Sequence, residues 1–158
     1  MPPTLFNPEK APGSGPWQSY FLFNGPMGRP ADQSTPLNLA WLYTKVAHCH
    51  FSLDEFEKSL LMTLEALHRQ PRGKLEKAEL RSYLTTNYYE LGRYREAVVE
   101  GEKTLELARR FPNDDVFYFR MALAHYKLGE RKAFAKYRGI CRKLFKDDSW
   151  NKYLEKLK

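Results

Sequence analysis

The sequence predicts an all-α protein preceded by an extended arm, and three observations carry that reading. Eight of the ten prolines fall within residues 1–36, and the other two, Pro71 and Pro112, stand where a helix has to stop. After Pro36, apolar residues recur at helical spacing almost to the C-terminus. That helical part also repeats itself three times as helix, turn and helix, which calls for a repeat architecture.

The arm comes first. Residues 1–36 are rich in Pro and Gly and show no helical period, so they are expected to form an extended segment. They are neutral, with Lys10 and Arg29 against Glu9 and Asp32. Within them lies an aromatic strip, Trp17, Tyr20, Phe21 and Phe23, in the run GPWQSYFLFNGPMG. Roughly a dozen residues of linker follow, enough to span well over 20 Å when extended. The strip is expected to fold back on the first repeat or into its groove rather than wait for a partner.

The helical domain is placed at 37–158, with repeats at about 38–73, 77–112 and 114–146. Small residues midway along the first helices, Ala47, Thr85 and Ala122, are spaced by 38 and 37. Small residues early in the second helices, Ser59, Ala97 and Ala133, are spaced by 38 and 36. Two helices can cross closely only where their contacting side chains are small. The last spacing makes the third turn one residue short. After the repeats, DDSWNKYLEKLK places Trp150, Tyr153, Leu154 and Leu157 on one face behind Ser149, a suitable N-cap. This segment, 149–157, is expected to cap the bare end of the stack.

The middle repeat, NYYELGRYREAVVEGEKTLEL, carries a Leu-Gly turn followed by Tyr and then Glu-Ala on the second helix. The first repeat contributes FEKS, Ala66 and Pro71, and the third AHYKLG. On these residues, over roughly 38–146, the chain resembles the tetratricopeptide repeat family. The resemblance implies a right-handed superhelical array of three helix pairs with the first helices on the concave side. All three repeats exceed the usual 34 residues, and the second helices are expected to run about a turn longer.

The implied concave stripes are Trp41, Thr44, His48 and Phe51 on the first helix of repeat one, and Glu79, Ser82, Thr86, Tyr89 and Glu90 in repeat two. In repeat three they are Val116, Phe119, Leu123, Tyr126 and Lys127, with Arg120 alongside. Each set keeps helical spacing, so each lies on one face. The expected site is an aromatic groove for a peptide segment or partner protein. Some relatives clamp a carboxylate with Lys, Asn and Arg. Here only Arg120 stands at such a place, while Thr44, His48, Tyr83 and Val116 occupy the others, so no clamp is expected.

Other chemistry finds little support. There is no Gly-rich phosphate loop, HExxH or GxSxG, so no enzyme and no cofactor are expected. His48-Cys49-His50 is a poor metal motif, because adjacent helical residues diverge by about 100°. His50 aligns with Tyr88 and His125 and reads as a packing residue with a polar tip. Cys49 and Cys141 read as buried free thiols. No apolar run reaches the roughly 20 residues of a membrane helix. The N-terminus lacks the pattern of a secretory signal. The expected setting is soluble and intracellular, with the cytoplasm the simplest choice and an organelle also open.

The net charge of +7 concentrates at the end, where residues 130–158 hold ten Lys or Arg against four Asp or Glu. Arg138, Arg142 and Lys146 form a ridge at i, i+4 and i+8. A ribonucleoprotein component using that ridge is therefore the alternative function. An assembly chaperone is a third, implied by the resemblance alone. Three repeats are near the minimum for stability, so a homo-oligomer or a larger complex is compatible with either.

Overall fold

The computed structural model describes residues 39–157 apart from 70, 72, 146 and 147. The arm, its aromatic strip Trp17, Tyr20, Phe21 and Phe23, and Lys146 of the ridge lie outside the described residues. Leu39–Lys158 form one unit and Met1–Asn38 another, and only the first is described here.

Among the described residues there are seven helices and no strand. They are α1 (Leu39–Ser52), α2 (Phe56–His68), α3 (Lys74–Glu90), α4 (Tyr94–Leu107), α5 (Asp114–Lys127), α6 (Arg131–Leu144) and α7 (Asp148–Lys156). α1 packs most extensively on α2, α3 on α4 and α5 on α6. Successive pairs then meet through α2 with α3, α4 with α5 and α3 with α5, and α7 closes on α6. The cap expected at 149–157 appears within a residue at each end.

One turn chemistry builds all three pairs. The residue two positions past each first helix is left-handed: Asp54 (φ 58°), Gly92 (φ 73°) and Gly129 (φ 73°). Its N–H bonds back to Phe51, Tyr89 or Tyr126, and the next N–H reaches one carbonyl further, to His50, Tyr88 or His125, at 2.8–2.9 Å. This double closure ends a helix and reverses the chain while satisfying its last carbonyls.

The same two positions are latched by side chains. His50 Nδ1 donates to Glu55 Oε2 at 2.6 Å, and His125 Nδ1 to Glu130 Oε2 at 2.6 Å. In the middle pair Arg93 lies 4.7 Å from the Tyr88 ring centroid. An Asp in the left-handed region is tolerated but strained, whereas Gly is not. Asp54→Gly is therefore expected to stabilise the protein by about 0.5–1 kcal/mol, read as a higher urea midpoint. Gly92→Ala should lower it by about 1 kcal/mol.

Because the three turns are equal in length, the third is not short. Counting five residues from each left-handed position gives Ser59, Ala97 and Phe134, so Phe134 takes the place expected for Ala133. Phe134 is buried against Tyr126, with ring centroids 5.3 Å apart, while Ala133 is only half-buried. The extra helical length also lies elsewhere: α3, a first helix, is the longest at 17 residues, and the second helices have 13 or 14.

The main core gathers around α5, whose residues Phe117 to His125 are all buried. A helix buried all round needs apolar residues on every side. Here α3, α4 and α6 surround α5, and Trp150 and Tyr153 of α7 reach its Phe119. Cys141 sits in this core, where burial pushes its thiol up to about 12. Cys49 does not share that setting. It is exposed.

Candidate functional site

Side chains of the first helices meet along two clusters. In the first, α1 contributes Trp41, Lys45 and His48, and α3 contributes Glu79 and Tyr83. Lys45 Nζ stands 5.5 Å from the Trp41 ring centroid, one helical turn away. The rings of His48 and Tyr83 stack at 6.5 Å with 12° between their planes. Tyr83 Oη donates to Glu79 Oε1 at 3.0 Å. Burial, helped by the Lys45 ammonium, holds His48 below its ordinary value, so the imidazole is neutral at pH 7. Burial also pushes the Glu79 carboxyl up, against the Tyr83 hydroxyl and Lys45, which pull it down. All five residues are half-buried. The cluster thus combines ring faces, a neutral imidazole and one charge of each sign.

The second cluster joins α3 to α5. The Arg120 guanidinium pairs with the Glu90 carboxylate. It also lies 5.0 Å from the Tyr89 ring centroid and 5.7 Å from that of Phe119. Arg120 is 5% exposed, and its Nε has no acceptor among the described residues. Burial lowers Arg120 and raises Glu90 even though each opposes the other's shift. Burial likewise pushes the Tyr89 hydroxyl up to about 12.

These placements redraw the groove expected from the sequence. Phe119, Arg120 and Leu123 are core residues rather than open surface. Trp150 and Tyr153 of α7 cover Phe119, with ring centroids 4.2 and 6.1 Å away, and Phe145 adds a third ring at 6.1 Å. Tyr126 packs on Phe134, and Tyr89 on Tyr94. Phe51 meets Phe56 edge to face across the first turn. The Thr44 hydroxyl donates to the Ala40 carbonyl, and Ser82 and Thr86 are buried with similar bonds to Glu79 and Ser82. Trp41 and His48 are half-buried on α1.

Sequence reasoning does not single out Lys45 or Tyr83 as site residues. Their signal was available as i, i+4 spacing, Lys45 after Trp41 and Tyr83 after Glu79. What the sequence could not supply is the approach of α1 to α3 that stacks His48 on Tyr83.

The basic ridge is partly spent within the protein. Arg142 donates to Glu155 of α7 at 2.9 Å, and Arg138 lies 5.3 Å from the Phe134 ring centroid. The His48-Cys49-His50 run diverges as expected: His48 turns to Tyr83, Cys49 outward and His50 to Glu55.

Among the described residues, the fold and site define an all-helical array of paired helices with an aromatic and polar cluster on its first two first helices. No protein-family model, curated protein or solved structure matches the chain. No described helix is long and apolar enough to cross a membrane.

Proposed function

We propose that this chain is a non-catalytic interaction module, a tetratricopeptide-repeat-like superhelical array that binds a peptide segment of a partner protein along α1 and α3. The observation that carries the reading is the cluster of Trp41, Lys45, His48, Glu79 and Tyr83. Half-buried rings beside fixed polar groups suit recognition of an extended segment, with apolar burial giving affinity and the polar groups giving register. Lys45 and Glu79 favour a segment carrying charges of both signs.

Its role is that of an adaptor or scaffold subunit, or of an assembly factor. The ribonucleoprotein reading has less to stand on, because Arg142 is ion-paired to α7 and Arg138 packs on Phe134.

The test is selection of a displayed random-peptide library on the full chain. Enriched peptides are expected to bind at least about tenfold more weakly to Trp41→Ala and Tyr83→Ala, the loss from removing one ring at a contact centre. The melting temperatures of both variants should stay close to that of the parent. Peptides that bind the parent and both variants equally would overturn the assignment.

A further inference from the structure

Three arginines of this chain meet a carboxylate and an aromatic ring together. Arg120 pairs with Glu90 and lies 5.0 Å from the Tyr89 ring centroid. Arg93 donates to Glu96 at 3.0 Å and lies 4.7 Å from the centroid of Tyr88. Arg69 stands 3.8 Å from Glu65 Oε2 and 5.6 Å from the centroid of Tyr43. The combination has a physical cause. A guanidinium is planar and weakly hydrated, so it can lay a face on a ring while its N–H groups point at a carboxylate.

Glu79 and Tyr83 form the same carboxylate-and-ring pair, one helical turn apart on α3, and no arginine completes it among the described residues. Tyr83 Oη donates to Glu79 Oε1 at 3.0 Å. Among the described residues that is the only hydrogen bond of the Glu79 side chain, so Oε2 has no donor. The nearest cations along the helices are committed otherwise. Arg81 pairs with Glu100 of α4 at 2.7 Å. Lys45 attracts the Glu79 carboxylate but makes no ion pair with it, and stands over Trp41.

The charge of Glu79 is therefore incompletely balanced. Burial raises its carboxyl, and Glu76 adds to the rise, against the Tyr83 hydroxyl and Lys45. A half-buried carboxylate in that condition gains from a cation that brings its own N–H donors. Of the charged groups that act on Glu79, Lys45 is positive and Glu76 negative. His48, held neutral by burial and by Lys45, does not repel a cation at pH 7. An ammonium is more strongly hydrated than a guanidinium and has no flat face, so lysine suits the place less well.

We propose that Glu79 is the seat of an arginine side chain of the bound segment, its guanidinium donating to Oε2 with its plane against the rings of the cluster. This rests on the reading of the Trp41 and Tyr83 cluster as a peptide site, and it names the side chain that the site selects.

The test uses the peptides enriched from the displayed random library on the full chain. They are expected to share one arginine. Replacing it by citrulline, which keeps the shape and removes the charge, should weaken binding to the parent at least about tenfold. The same replacement should change binding to Glu79→Gln by less than about twofold. Gln keeps an acceptor for Tyr83, so the melting temperature of this variant should stay close to that of the parent. The affinity of the parent should also fall between about pH 7.5 and about pH 5.5, because the Glu79 carboxyl takes up its proton above the ordinary carboxylate range. The fall should be smaller in Glu79→Gln. Peptides that need Trp41 and Tyr83 but share no arginine would overturn the assignment and leave the peptide site standing. A citrulline loss that persists undiminished in Glu79→Gln would do the same. A library that yields no binder would overturn both.

Discussion

Glu90→Ala is expected to lower the stability of the protein by about 3 kcal/mol, because it strands a buried charge. Arg120 is 5% exposed and has Glu90 as its ion-pair partner, so without that carboxylate its guanidinium stays in the core uncompensated. Burial shifts both groups toward their neutral forms despite their mutual attraction. The pair is therefore costly to bury, and its value lies in fixing how α3 meets α5. It follows that Glu90→Leu/Arg120→Met should recover most of what Glu90→Ala loses, since apolar replacements of similar volume carry no desolvation cost. Urea unfolding of the two variants beside the parent decides the matter. A loss below about 1 kcal/mol in Glu90→Ala would place the pair among ordinary surface ion pairs.

Phe119→Ala should cost about 3–4 kcal/mol, the range for emptying a fully packed aromatic position. Phe119 is the ring on which Trp150, Tyr153 and Phe145 converge. Its removal leaves α7 with few contacts beyond its packing on α6. Trp150 emission should shift to the red at lower urea than the circular dichroism of the remaining helices, because α7 detaches first. Coincident transitions with an unchanged midpoint would show that the cap is held elsewhere.

Much of this architecture was legible in the chain because its signals are local. Helical spacing, Pro71 and Pro112 as stops, and Gly92 and Gly129 at the turns depend on residues within one or two turns of each other. The α7 cap was readable for the same reason, from Trp150, Tyr153 and Leu154 on one face. Asp54 marks the first turn less plainly than Gly does, since Asp enters the left-handed region without advertising it. Ala133 misled the third register, because it is small and stands one residue from the position that Phe134 fills. The candidate site was half visible. Trp41 and His48 are half-buried on α1, whereas Phe119, Arg120 and Leu123 went to the core.

Periodicity tells which residues share a face, and that the sequence determined by itself. What covers each face is a property of the neighbours, and only the tertiary structure decided it. Leu42 and Val46, Leu80 and Leu84, and Phe117 and Met121 follow one pattern at one register. Four of them are sealed in the core and two stand on the surface, because a preceding helix packs on the second and third pairs and none is described before the first. The stripes of the first helices obey the same rule: Trp150 of α7 packs on Phe119, and His48 of α1 stacks on Tyr83 of α3. Burial is made by non-local contacts, and no spacing within one helix encodes which partner will supply them.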